Sequence, residues 1–480
     1  MAITHSLPTQ TQYLRNGWTS WSASSWWWLD RDPWRVWNNP SRTLTAEDAS
    51  TDSQTIHQSY MMSCLKLDER TSLLIGCLSP TTALIRFEEG AIRATSLDCN
   101  PDLELNWFLA IGTENECLSA YTHELRTLFP QHNLPEEYFG AVWSSWYSWF
   151  EEITAEHIQQ EIKPAAELGY TILQIDDGWE RAVGDWEANQ DFPGGMSEIA
   201  SEISDQDLIP GLWIAPFIAM EDTPLVAQHP EYFVHDDDGA LKPAGYNWGQ
   251  YYYGLDCTHP GAQEWLRQLL RKVRSWGYSY FKLDFLNAAA IEGTRLDNID
   301  REMAYRTGLD IVREELDDCY IMASGAVIAP SLGLVDGMRI GPDTAPYWDN
   351  TDRFRDPTGP AVRNALRNVM ARYWLHGVAH IDPDVVFART HGSLLSPEVN
   401  HITHDLARVC GVLGCSDPAQ WLTDEQRTEI RSLCEEFSQT NNRPEIEHLS
   451  RYVFTIAGRN VDFEPWIYPD GRISDRILVK

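Results

Sequence analysis

The chain has 480 residues, of which 43% are hydrophobic and 22% charged. That supplies a sizeable core, excludes global disorder, and fits one barrel of about 250 residues with one or two smaller domains. The formal charge is −34, from 37 basic and 71 acidic side chains, which repels nucleic acid and anionic membrane and excludes both as partners.

Lysine occurs only at Lys66, Lys163, Lys242, Lys272, Lys282 and Lys480. An acidic, lysine-poor surface suits high ionic strength, where salt screens self-repulsion; ordinary acidic solubility explains it equally well. The nine cysteines are odd in number and form no CxxC pair, which points to reduced thiols and a cytoplasmic location. The opening MAITHSLPTQTQYLRNGW has no apolar signal-peptide core. No window approaches the roughly 18 apolar residues of a membrane span.

Tryptophan is the anomaly, with 21 copies. Trp18, Trp21, Trp26, Trp27, Trp28, Trp34 and Trp37 crowd the N-terminal end. Indoles stack on the apolar faces of sugar rings and donate an N–H to hydroxyls; a Trp-rich core or domain interface accounts for most of them. Such a segment also suits packing on a second subunit, so a homo-oligomer is an expectation.

Residues from about 40 to 125 read as short strands, SLLIGCLS and ELNWFLAIGT among them, and predict a small β-sandwich. A break follows at FPQHNLPEEYFG. Then apolar runs alternate with helix-length intervals: GAVWSSW, YTILQIDD, IPGLWIAPF, YSYFKLDFL, CYIMASGAV, GMRIGPD, VAHIDPD and GVLGC. Amphipathic stretches such as TAEHIQQEIKPAAELG and PGAQEWLRQLLRKVRSWG fill the gaps, each ending on a Gly suited to a helix terminus. The pattern predicts an α/β fold, a (β/α)8 barrel, flanked by the β-sandwich and a small C-terminal β-rich domain. The divisions are 1–134, 135–418 and 419–480. The tail carries a helix, DEQRTEIRSLCEEF, and strand candidates RYVFTIAGR and RILVK.

In such barrels functional side chains sit at the carboxyl ends of strands. Asp176 and Asp177, Trp213, Lys282 and Asp284, Arg339 and Asp343, and Asp382 and Asp384 all fall there. Residues two apart on a strand share a face, so Lys282 should stand beside Asp284 and hold it ionised. Arg339 and Asp343 share parity if the strand runs through Pro342. Two carboxyls suit glycosidic cleavage, one protonating the leaving oxygen and one attacking or activating water. Which Asp acts is left open by the pattern. IDDGWE also suits a helix cap and DPD a turn. The fourteen His form no HxH or HExxH spacing, so no metal site is expected.

WSSWYSWF, QIDDGWE, GLWIAPF, YFKLDFLNAAAIEG, VDGMRIGPDTAPYW and HIDPDVV, in that order, resemble the motifs of glycoside hydrolase family 36, the bacterial melibiase-type α-galactosidases. The likeness runs from about Ala141 to Val386. It implies a retaining, cofactor-free hydrolase of α-galactosides, with Asp284 as nucleophile and Asp343 as acid/base. Asp176 and Asp177 would hold the galactose O4 and O6 hydroxyls. Lys282, Arg339, Trp213, Trp146 and Tyr147 would line the sugar pocket, with Trp21 of NGWTSW reaching over it. The chain departs from the pattern at ASGAVIAP, where Ser324 replaces a Cys on a loop that the resemblance places at the sugar's C2 side. That keeps α-N-acetylgalactosaminidase and α-galactosyl transglycosidase as alternatives. A sugar-binding scaffold on a decayed barrel would have lost one of the two aspartates. The N-terminal domain and the tail are shorter than the family's.

Overall fold

The computed structural model describes residues 1–8, 10–33, 56–98, 103–349 and 357–467; Trp34, Trp37 and the RILVK strand candidate lie outside the described residues. The fold is mixed α/β, built on a curled, all-parallel sheet of nine strands. Their order is His380–Asp382, Gly337–Arg339, Tyr320–Ala323, Tyr280–Leu283, Ile209–Ile214, Ile172–Ile175, Val142–Ser144, Gly414–Cys415 and Val385–Val386. The first and last in that order are halves of one run, VAHIDPDVV, parted at Pro383–Asp384, where Asp384 turns to φ 76°. The strands are aliphatic and aromatic because both faces are covered: Ile172–Ile175 and Tyr280–Leu283 are buried throughout.

The intervening helices follow their local chemistry. In Ala155–Leu168 the Thr154 hydroxyl accepts the His157 N–H, Ile158, Ile162 and Ala165 are buried, and Gly169 ends the helix at φ 91°. Pro260–Ser275 starts on a Pro and buries Leu266, Leu269, Leu270 and Val273.

Several expectations need correction. The strand in GMRIGPD stops at Arg339, so strand parity does not relate Arg339 to Asp343. Strands begin at Ala2, far ahead of residue 40, and form antiparallel sheets of four and five strands around Tyr13, Leu65, Ile75, Ile85 and Phe87. The end of the presumed strand region, Glu114–Leu128, is a helix. A Thr113/Glu116 capping box starts it, and the buried Cys117, Tyr121 and Leu125 recur every four residues. DEQRTEIRSLCEEF is the helix Asp424–Phe437, but it packs on Ala155–Leu168 as a neighbour of the central sheet. The tail proper is a three-stranded antiparallel sheet, Ile446–Ser450, Val453–Ile456 and Arg459–Asp462. No helix among the described residues is long and apolar enough to cross a membrane.

A seam joins the N-terminal loop 16–24 to the central unit. The fully buried Arg372 donates to the carbonyls of Gly17, Thr19, Ser20 and Ile340 and to Asn16 Oδ1. The Trp18 indole donates to Glu302 Oε1 at 2.6 Å, and Asn368 exchanges hydrogen bonds with Ser22 and Ser24.

Elsewhere, burial raises the Glu161 carboxyl on the Ala155–Leu168 helix from 4.5 to about 8, although Ala419 N–H donates to it at 2.9 Å. Folded Glu161 keeps its proton while the unfolded chain loses it. Its contribution to stability is therefore full below pH 4.5 and is lost as pH rises through about 8. Glu161→Gln should melt with the wild type near pH 4.5 and be more stable by roughly 2–4 kcal/mol above pH 8. Thermal melts across that range check it.

Candidate active site

At the carboxyl ends of the parallel strands lies a cavity of about 260 Å³, at the small end for a ligand pocket. Trp21, Trp146, Asp176, Asp177, Trp213, Lys282, Asp284 and Asp343 line it. Tyr147 and Arg339 stand one layer behind, in a smaller adjoining space. Ser324 is 1% exposed and absent from the lining.

Asp284 follows directly on the Tyr280–Leu283 strand, its amide bound to Ile214 O of the neighbouring strand. Its Oδ2 accepts the Trp213 indole N–H at 3.1 Å and Oδ1 accepts the Phe285 amide at 2.9 Å. The expected ion pair with Lys282 is not made: Lys282 Nζ donates to Asp176 Oδ2 at 2.9 Å. Parity puts Lys282 and Asp284 on one face, but the cross-strand Asp176 is the closer acceptor. Burial works against the Lys282 charge, and Asp176, then Asp284, outweigh it, so its pKa rises.

Asp343 has the opposite setting. Its carboxyl is pushed up to about 6, by burial first and then by Asp384, with Arg339 and Lys282 pulling it down and Asp284 adding repulsion. It still shows 37% of its side-chain surface, on the cavity side. Arg339 anchors this cluster: Nε bonds Asp382 Oδ2 at 2.8 Å, and the guanidinium reaches Asp384 Oδ1 at 3.0 Å and Asp343 Oδ1 at 3.4 Å. Asp384 Oδ2 accepts from the Tyr147 hydroxyl and the Thr344 amide and hydroxyl. Asp382 and Asp384, which suited a turn in the sequence, thus form both the turn and the buried counter-charge for Arg339.

Asp176 takes Lys282, the Gln174 amide at 2.6 Å and the Asp177 N–H at 3.1 Å. Asp177 takes the Trp248 indole N–H at 2.9 Å. Trp21 reaches the cavity from the N-terminal loop, stands edge-on to Phe285 at 5.0 Å, and donates its N–H to Ser324 Oγ at 3.3 Å.

The sequence reading missed Glu151, Tyr246, Asn247, Tyr252 and Phe285, which also line the cavity. Tyr246 and Asn247 belong to a hairpin, Pro243–Asn247 with Gln250–Gly254, turned at Trp248–Gly249 with φ 50° and 77°. The Trp-Gly pair with both φ positive is a type I′ turn, and the aromatic cluster YNWGQYYYG was its signal. Phe150, Phe285 and Asp384 near the site also have positive φ. Such conformations cost non-glycine residues and concentrate at functional sites.

A family profile described as Melibiase matches residues 111–320. An α-galactosidase from Thermus thermophilus, solved in complex with p-nitrophenyl α-D-galactopyranoside, is 34% identical. The match covers 97% of this chain and 93% of that one, with a TM-score of 0.87. A GH36 α-galactosidase from Geobacillus stearothermophilus shares the fold at 17% identity and TM-score 0.62, over 92% of this chain and 63% of its own. Among curated relatives, "A type blood alpha-D-galactosamine galactosaminidase" of Flavonifractor plautii is 29% identical over 163 residues, 32% of this chain and 15% of that protein. "Probable alpha-galactosidase C" of Aspergillus flavus is 25% identical over 234 residues, 42% of this chain and 30% of that protein. The chain thus spans less than a third of the length of these two curated relatives. The chain belongs to the melibiase-type α-galactosidase family, glycoside hydrolase family 36.

Asp384→Asn removes the strongest charge raising the Asp343 carboxyl and leaves Arg339 freer to hold Asp343 ionised. The Asp343 midpoint should fall from about 6 by up to about one unit. Titration of a 13C-labelled Asp carboxyl, assigned by Asp343→Asn, reads it.

Proposed function

We propose that this protein is a retaining glycoside hydrolase that releases terminal α-galactosyl residues by double displacement. In this reading Asp284 is the nucleophile and Asp343 the general acid and then base. The single observation that carries it is the contrast between two carboxyls on one small cavity. Asp284 is held by two N–H donors, as a nucleophilic carboxylate needs, and Asp343 keeps its proton up to about 6, as a leaving-group acid needs.

The mechanism follows from these settings. Asp176 and Asp177 accept galactose hydroxyls, while Lys282 fixes Asp176. Asp284 attacks the anomeric carbon as Asp343 protonates the departing oxygen. Asp343, now ionised and steadied by Arg339, takes a proton from the incoming water, and the sugar leaves Asp284. The same reading takes the chain as a (β/α)8 barrel over 135–418, its seventh strand broken at Pro383–Asp384. It keeps 1–134 as the sandwich, whose loop contributes Trp21, and 419–480 as the small C-terminal division, whose described strands make one antiparallel sheet.

The acetamido alternative rested on Ser324. Its hydroxyl is occupied by Trp21, and a Cβ on Gly325 would lie 3.0 Å from the same indole. With the loop closed in this way, the favoured substrate is galactose with a free C2 hydroxyl. Aryl α-galactoside should be cleaved far faster than aryl α-N-acetylgalactosaminide; the reverse order overturns the sugar assignment. Asp284→Ala should lower turnover of the aryl α-galactoside by more than about 1,000-fold. Azide should partly restore it and give the β-galactosyl azide, whereas an α-azide would sink retention through Asp284. The wild-type kcat/KM should fall as pH rises through about 6, where free Asp343 loses its proton.

A further inference from the structure

Glu180 belongs to none of the roles above. It sits three residues after Asp177, and both side chains are buried, 8% and 5% exposed. The chain doubles back at Gly178, whose φ of 113° no other residue adopts easily. A Cβ there would strike the Glu151 backbone at 2.8 Å. The Gly178 N–H donates to Glu180 Oε2 at 3.2 Å, and Asn189 holds the Gly178 carbonyl at 2.7 Å. This turn brings the two carboxyls within hydrogen-bond reach of each other.

The charge balance there is unusual. Among the described residues neither acid has a cationic partner, because Lys282, the cation of this corner, is bound to Asp176. Asp177 Oδ2 takes the Trp248 N–H, whereas Oδ1 is buried with no donor. Two buried carboxylates side by side cannot both stay ionised. A proton on Asp177 Oδ1, donated to Glu180, completes that oxygen and gives Glu180 a second donor beside Gly178. Apart from Lys282, which is held by Asp176, the charged groups around Asp177 are acidic: Asp176 on its own loop, with Glu151 and Asp284 across the cavity. They oppose a second negative charge. Burial and Glu180 accordingly push the Asp177 carboxyl well above its ordinary range.

We propose that Glu180 is a positioning residue for sugar recognition, sharing one proton with Asp177 so that Asp177 meets the substrate as a neutral carboxyl clamped between Glu180 and Trp248. Glu180 touches no substrate. It fixes the plane of the Asp177 carboxyl and takes one negative charge out of a crowded acidic pocket. The inference rests on Asp177 being a sugar-binding group.

Two measurements test it on the full-length protein. A neutron structure near neutral pH should place a deuteron between Asp177 Oδ1 and Glu180; a map with neither carboxyl deuterated overturns the proposal. The second is the pH dependence of kcat and KM on p-nitrophenyl α-D-galactopyranoside for wild type, Glu180→Gln and Glu180→Asp. In the wild type, KM should rise at alkaline pH as the shared proton leaves. In Glu180→Gln the amide donates to an ionised Asp177, so that rise should vanish while the kcat profile, which belongs to Asp343, stays in place. Glu180→Asp should restore the rise. Superimposable KM profiles for wild type and Glu180→Gln overturn the positioning role, as would a uniform change at every pH. Should no α-galactoside be cleaved, the functional reading fails, and the neutron map still decides the proton.

Discussion

Charge scarcity governs the centre of this molecule. Asp176, Asp177, Glu180, Asp284, Asp343, Asp382 and Asp384 crowd one end of the sheet, and the cations among them are Lys282 and Arg339. Buried charge is tolerated only when paired or neutralised. Lys282 settles Asp176, while Arg339 settles Asp382 and Asp384 and reaches Asp343 only at the longer 3.4 Å. The remaining acids must divide the remaining favourable interactions. Asp284 receives neutral N–H donors, and Asp343 is left with a midpoint near 6. Two chemically identical side chains thereby stand in different settings.

The cavity is also a joint between parts of the chain distant in sequence. Its rim at Trp21 belongs to the N-terminal loop, which stays in place because Arg372 satisfies several of its carbonyls at once. A buried arginine clasping carbonyls is costly to remove, since every acceptor would be left in a dry environment. The same loop pins Ser324 and Gly325 through the Trp21 indole. The N-terminal loop therefore serves both as the seam to the central unit and as one wall of the pocket.

Much of this was legible in the residues. Apolar runs marked each parallel strand because those strands are buried on both faces, and the polar residues ending them converge on one cavity. Pairwise contacts were less legible. Parity placed Lys282 and Asp284 on one face, yet Asp176, two strands away across the sheet, takes the ammonium, and such proximity depends on sheet order. Arg339 and Asp343 do meet, through a turn beyond the strand end rather than along it. The hairpin around Trp248 was missed because its aromatics do not alternate cleanly: Tyr246 and Tyr251 are exposed, while the adjacent Tyr252 and Tyr253 are both buried.

Backbone strain was the other feature hidden from the sequence, and it bears on why the site is so fixed. Phe285 follows the carboxylate Asp284 at φ 53°, Trp248 holds Asp177 from φ 50°, and Asp384 breaks its strand at φ 76° while gripping Tyr147 and Thr344. None is a glycine, so each conformation costs energy that local preference does not return. Each is held by side-chain bonds into the acidic cluster or by aromatic packing around Phe285, with Trp248 5.1 Å and Trp21 5.0 Å away. Relaxing any one turn would break a hydrogen bond to a buried acid, which is dearer than the strain itself. The scarcity of charge and the strained backbone therefore sustain each other: the acids demand every donor the turns can aim, and those bonds keep the turns from relaxing.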